Sequence, residues 1–145
     1  MRDKGSAAKG GEFGMNRKII WVNGCFDILH RGHIELFKYA KSLGDYLVVG
    51  VDDDDRIRAS KGNSRPINGI NDRVEMLKSI IHIDDVVRFA SDEELDTEVL
   101  RSGAEIMVVG SDYKNKKVIG SRHVKKVSFF DRVGDHSTTN IVEKL

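Results

Sequence analysis

The 145-residue chain has one cysteine and one proline, its acidic and basic residues nearly cancel, and no apolar stretch in it is long. Each shortage excludes something. Cys25 alone can form no internal disulfide and cannot by itself build a Cys-rich zinc site, which fits a reducing cytoplasm. Lys and Arg total 24 against 23 Asp and Glu, a formal charge of +1, so no global basic field exists to hold a nucleic-acid backbone or an anionic membrane. Runs such as Ile106-Met107-Val108-Val109 have the length of buried strands, far short of the roughly 18 apolar residues of a spanning helix. Neither nucleic acid nor membrane is expected as a partner. A chain of this size holds one core, hence one domain.

Residues 1–14 (MRDKGSAAKGGEFG) show no apolar periodicity, and their only apolar stretch is two alanines. They lack the apolar core of a signal peptide and read as an appended, disordered leader, with a single domain over 15–145. Ile19-Ile20-Trp21-Val22 favours a strand and ends at Asn23-Gly24; a helix is expected over 32–43, with Ile34, Phe37 and Ala40/Lys41 at helical spacing. A strand over 46–51 runs into Asp52-Asp53-Asp54-Asp55, which reads as a solvated loop and helix cap with at most Asp53 or Asp54 near a ligand. The polar segment 60–71, holding Pro66, reads as an ordered loop. Asn71 or Asp72 can cap a following helix whose apolar face is Val74, Leu77, Ile80 and Ile81. Strands over 85–89, 105–109 and 127–130, a helix over 92–102 and a last helix from Thr138 or Thr139 complete the pattern.

Helices alternating with unbroken apolar strands predict an α/β domain: a doubly wound, Rossmann-like, five-stranded parallel sheet with helices on both faces. Ligands of such sheets lie beyond the carboxyl ends of the strands, near the switch in strand order. The loops 23–31, 52–71, 110–120 and 131–139 are therefore where function is expected.

The first of these loops reads Asn23-Gly24-Cys25-Phe26-Asp27-Ile28-Leu29-His30-Arg31-Gly32-His33, with two histidines and a glycine at the start of a helix. Helix N-termini attract phosphate because their first N–H groups are unpaired and the positive end of the dipole points outward. Two imidazoles there would face the same anion and donate to its oxygens as charge builds, while Gly32 lets backbone approach. A blander arrangement, one histidine capping and the other solvated, stays open. A metal site would need a third ligand that only Cys25 offers, so no metal ligand is assigned.

The run Gly24-Cys25-Phe26-Asp27-Ile28-Leu29-His30-Arg31-Gly32-His33 resembles the signature of the His-x-Gly-His cytidylyltransferase-like nucleotidyltransferases, and Ser137-Thr138-Thr139 resembles that family's second signature. Within the family, Lys61-Gly62-x-x-Arg65-Pro66-Ile67-Asn68, Asp72-Arg73 and Gly110-Ser111-Asp112-Tyr113 are most similar to the adenylyltransferase domain of ADP-heptose synthases. The resemblance implies a cytoplasmic, homodimeric enzyme that transfers a nucleoside monophosphate from ATP to a sugar 1-phosphate, with Mg²⁺ carried on the triphosphate. By motif position it implies His30 and His33 at the α-phosphate, Lys61 on phosphates from a mobile loop, and Arg73 on the triphosphate or the acceptor phosphate. Asp27 would order the loop. Gly24, Cys25, Phe26, Gly32, Gly110, Asp112 and Arg132 would line the nucleotide site, and Ser137, Thr138 and Thr139 would hold the triphosphate at the last helix's N-terminus.

Arg132, five residues before Ser137, resembles instead the arginine of glycerol-phosphate and choline-phosphate cytidylyltransferases and pulls toward CTP with an alcohol phosphate. Gly134-Asp135-His136 replaces the usual Glu-Gly-x, and Val109-Gly110-Ser111 replaces Lys-Gly-Gly. A nucleotide-binding module without turnover and a zinc hydrolase are the rivals from other classes. Lys114-Asn115-Lys116-Lys117 reads equally as a positive rim or a solvated turn, Trp21 and Phe129-Phe130 as core or interface aromatics, His82 and His123 as structural or surface residues, and Cys25 as a small buried thiol.

Overall fold

In the computed structural model, which describes residues 17–131, five strands form one all-parallel sheet in the order β3-β2-β1-β4-β5. They are β1 (Ile19–Gly24), β2 (Tyr46–Asp52), β3 (Asp85–Phe89), β4 (Ile106–Gly110) and β5 (Lys126–Phe130). The helices are α1 (Arg31–Ser42), α2 (Asp54–Lys61), α3 (Ile70–Lys78) and α4 (Asp92–Ser102). The expected last helix, with Arg132, Ser137, Thr138 and Thr139, lies outside the described residues.

Strand side chains alternate between faces, and the alternation sorts the core into two layers. Ile20, Val22, Leu47, Val49, Val51, Ile106 and Val108 point to one face, where Phe37 and Ala40 of α1 and Leu77 of α3 cover them. Trp21, Val48 and Met107 point to the other, against Leu95 and Val99 of α4. Burial on both sides explains why these strands read as continuous apolar runs. Trp21 is fully enclosed, and its ring lies against Gly50, two residues along β2 from its register partner Val48: a Cβ there would lie 2.5 Å from the indole ring.

Two expectations change. The segment after the acidic run is the helix α2, capped by Asp53, whose Oδ1 accepts from the Asp54 amide at 2.7 Å. Asp54 and Asp55 open this helix and Arg58 and Lys61 close it, so each sign sits at the dipole end that favours it. Only Ile57 is buried, and one apolar anchor leaves no periodicity to read. The helix α3 starts behind Gly69, which makes no side-chain cap, so Asn71 and Asp72 lie inside it. It stops at Lys78, which leaves Ile81 74% exposed instead of on the buried face.

Candidate active site

The sheet order reverses between β1 and β4, so the crevice expected for a ligand opens where Gly24 and Gly110 end these two strands. His30 is the N-cap of α1, in extended conformation, and its Nδ1 accepts from the Gly32 amide at 3.1 Å. His33 closes the box from the other side: its Nδ1 accepts from the His30 amide at 3.3 Å. Two histidines thus perform the reciprocal capping that Ser and Glu perform elsewhere. The rings stack at 3.8 Å between centroids. Because its Nδ1 accepts, a neutral His33 ring carries its proton on Nε2. Burial, and then the charges of His30 and Lys61, push the His33 pKa down to about 3. At neutral pH the ring is an uncharged donor. Capping and anion contact, weighed as alternatives from the sequence, are compatible in one ring pair.

Phe26 holds this pair from beneath. It is 6% exposed, has a φ of +50°, and meets His33 edge to face at 5.3 Å and Phe37 at 5.1 Å. Expected at the nucleotide, Phe26 belongs instead to the core that fixes the His33 ring, and Gly24 gives it room, since a Cβ there would sit 3.0 Å from its ring.

Asp27 points inward. Its fully buried carboxylate accepts from Arg65 Nε at 3.0 Å, from the Ile67 amide at 2.9 Å and from the Asn68 amide at 2.8 Å. Burial alone would raise this carboxyl's pKa, but the Asn68 and Ile67 amides and the Arg65 guanidinium overcome it and hold the pKa below the usual range. Asn68 Nδ2 returns a bond to the Asp27 carbonyl at 2.7 Å. The β1–α1 loop and the segment before α3 are therefore clasped together.

Arg73 was expected on a phosphate and lies elsewhere. Its guanidinium is fully enclosed, with Nε on the Asn68 carbonyl at 2.9 Å and Nη1 on the Cys25 and Asp52 carbonyls at 2.8 and 2.7 Å. Its Nη2 pairs with Asp54. Every nitrogen is spent on tying together the loops after β1 and β2 and the one before α3. The physical reason is valence: five N–H donors on one rigid plane satisfy carbonyls that no other group reaches.

Lys61, at the end of α2, lies close enough to Cys25 and His33 for its charge to lower the pKa of each. Cys25 is half-buried with Sγ 3.5 Å from Asp52 Oδ2; burial first, then the Asp52 charge, raises its pKa, so it stays a thiol. Asp52 in turn takes Arg56 Nε at 2.6 Å, and the acidic run is a network of caps and ion pairs more than a solvated loop. Asp112 is exposed on the short turn Ser111–Tyr113, with an oxygen 2.6 Å from where a Gly110 Cβ would stand. Lys114, Lys116 and Lys117 are exposed, the first two lying over the rings of Phe129 and Tyr113 at 5.7 Å. His123 pairs with Asp96 at 3.1 Å, away from the site. Among the described residues no three His, Cys, Asp or Glu side chains converge as a metal-ligand set, and no helix is long and apolar enough to cross a membrane.

The structure thus brings Gly24, Cys25, Phe26, Asp27, His30, Gly32, His33 and Lys61 into one neighbourhood, with Arg73 beneath it; Arg132 and Ser137-Thr138-Thr139 fall outside the described residues. The partnership of Asp27 with Arg65 and Asn68 was not read from the sequence. Its only signal was the Arg65-Pro66-Ile67-Asn68 string, which carried a resemblance and no stated role.

A family model described as cytidylyltransferase-like matches residues 21–144. The chain belongs to the cytidylyltransferase-like family. It is accordingly a nucleotidyltransferase domain. It is 43% identical over 128 residues to the bifunctional protein HldE of Helicobacter hepaticus, covering 88% of this chain and 26% of that protein. To the bifunctional protein HldE of Nitratiruptor sp. it is 44% identical over 130 residues, covering 89% of this chain and 28% of that protein. The chain therefore spans about a quarter of the length of these relatives. Among solved structures it resembles the lipopolysaccharide core biosynthesis protein from Thermoplasma volcanium, with a TM-score of 0.66 and 27% identity over 79% of this chain and 97% of that one.

Proposed function

We propose that this domain transfers AMP from ATP to the phosphate of a sugar 1-phosphate, a heptose 1-phosphate being the favoured acceptor. The observation that carries the reading is the double-histidine cap: two stacked imidazoles at the N-terminus of α1, beyond the end of β1, with the His33 ring an uncharged donor and the Lys61 charge bearing on it. Such an array is complementary to charge spreading over a phosphorus centre in flight. An oxygen of the acceptor phosphate attacks the α-phosphorus in line. The bond from that phosphorus to the bridging oxygen breaks, and pyrophosphate leaves with the electron pair. No covalent enzyme intermediate is needed, which suits a site whose thiol is held protonated. His30 and His33 donate to the α-phosphate oxygens, Lys61 follows the charge to the leaving group, and Asp27 and Arg73 keep the loops in register.

Mg²⁺ bound to the triphosphate would neutralise part of its charge, and the exposed carboxylate of Asp112 is a fitting oxygen ligand at the strand ends. Residues 132–145, with Ser137, Thr138 and Thr139, complete the triphosphate contact in this reading. The likeness to relatives named HldE supports adenylyl transfer in heptose nucleotide synthesis; a homodimer and a cytoplasmic setting belong to the same reading. Arg132 favours a second one, CTP with glycerol 3-phosphate.

The test is pyrophosphate release with ATP, CTP, GTP and UTP against heptose 1-phosphate, other sugar 1-phosphates and glycerol 3-phosphate. Turnover with ATP and a sugar 1-phosphate is expected, and a double His30→Ala, His33→Ala variant should bind ATP yet lose turnover by at least a hundredfold, about 2.7 kcal/mol of transition-state stabilisation. Turnover with CTP and glycerol 3-phosphate alone would replace this reading with the second. Nucleotide binding without pyrophosphate release would leave a binding module.

A further inference from the structure

The clasp around Asp27 leaves one donor over. A guanidinium facing a carboxylate ordinarily docks as a fork, Nε on one oxygen and Nη2 on the other. Here that fork cannot form. The Asn68 amide occupies Oδ1, and the Ile67 amide lies 2.9 Å from both oxygens, so Arg65 reaches the carboxylate through Nε alone. Its Nη2 is buried and has no hydrogen-bond partner among the described residues. Leaving a buried, charge-carrying donor unmade is costly, and such a group calls for an explanation.

Position supplies one. Asp27 lies three residues before His30, so Arg65 is anchored on the loop that ends in the double-histidine cap. Lys61 and Arg65 bracket a short exposed stretch, residues 62–64: the Lys61 charge bears on Cys25 of the β1–α1 loop, and Arg65 is bonded to Asp27 of the same loop. Arg73, expected on the triphosphate or the acceptor's phosphate, has every nitrogen committed inside the protein. That task is vacant, and Arg65 is the guanidinium of this loop with a nitrogen still to give.

Resting on the reading of the domain as a nucleotidyltransferase with a phosphorylated acceptor, we propose that Arg65 binds the acceptor's phosphate through Nη2 while Nε stays on Asp27. A small outward shift of the exposed 62–64 stretch uncovers the nitrogen, and the acceptor's phosphate takes the place water would otherwise contest. Asp27 then has a second task beyond clasping the loops: it fixes the plane of the guanidinium, so that the attacking phosphate is presented from one direction.

Arg65→Lys tests this directly, because an ammonium can replace Nε at Asp27 but has no second arm. With wild-type turnover of ATP and heptose 1-phosphate as the reference, the variant should raise the KM for heptose 1-phosphate at least tenfold and change the KM for ATP less than twofold, with its melting temperature close to wild type. An unchanged acceptor KM, or equal rises in both constants, overturns the assignment. A second measurement uses the unaltered protein and does not depend on the variant's folding. Heptose 1-phosphate should slow phenylglyoxal modification of Arg65, read by peptide mass, more than ATP does; protection by ATP alone, or by neither, overturns the proposal. Absence of wild-type turnover would instead strike the functional reading, while the labelling experiment would still report on Arg65.

Discussion

Replacing Asp27 by Asn swaps one oxygen for an NH₂ group and removes a charge, with almost no change of volume. The carboxylate is fully buried and receives Arg65 Nε at 3.0 Å and two backbone amides at 2.8 to 2.9 Å. All three partners are donors. Wherever the new NH₂ points, it faces a donor, and Arg65 loses the negative charge beside it. Two charge-assisted bonds at about 1.5–3 kcal/mol each give a cost of about 3–6 kcal/mol. Breaking a buried ion pair by removing one partner costs about 3–5 kcal/mol, so the two routes agree near 4 kcal/mol. For a chain of this size each kcal/mol lowers Tm by about 2–4 °C, so Asp27→Asn should melt about 8–16 °C below wild type. The folded-state pKa of Asp27 is depressed, so its stabilisation is present above the unfolded value near 3.9 and is lost as pH falls through the folded value. The variant should lose that acid limb as well. Urea unfolding at pH 7 and below, followed by circular dichroism, measures both. A loss below about 1 kcal/mol at pH 7 would show that the amides, not the charge, hold the clasp, and would remove the argument for Asp27 as its centre.

His33 acts in the same direction, at higher pH. Its folded pKa of about 3 lies below the unfolded 6.5, so the unfolded chain binds the extra proton and stability falls as pH drops through that window. Between pH 6.5 and 4.5 wild type should lose up to about 2.5 kcal/mol more than His33→Asn, whose side-chain oxygen can still accept from the His30 amide; parallel pH curves would contradict this. Gly50→Ala places a methyl group 2.5 Å from the Trp21 ring and should cost about 1–3 kcal/mol. Trp21 is the one tryptophan, so a shift in its emission reports the same clash; unchanged stability and emission would mean the strands spread without cost.

The division between what the sequence disclosed and what it withheld follows from the range of the forces involved. The parallel sheet was legible because burial on both faces writes itself as apolar runs, and each of the five expected strands lies within two residues of an observed one. A histidine cap on α1 was legible because helix capping acts over three residues, whereas the second histidine, read as solvated in that arrangement, closes the box from the other side. The helix α2 was not: with Ile57 as its only buried side chain, it is held by an Asp53 cap, by the dipole and by salt links from Asp52 to Arg56 and Asp55 to Arg58, which in sequence look like a solvated charge run. Arg73 shows the deeper reason. Sequence alone presents it as a cation available for phosphate, because a buried and an exposed guanidinium are spelled alike. What decides between them is whether carbonyls from segments 21 and 48 residues away arrive around it, which is a property of the closed fold. The same closure spends two of the Asp27 carboxylate's lone-pair directions on amides 40 and 41 residues along the chain, leaving Arg65 a single oxygen to grip. Long-range packing therefore encloses Arg73, the arginine expected on a phosphate, and leaves the Nη2 of Arg65 buried with no hydrogen-bond partner among the described residues.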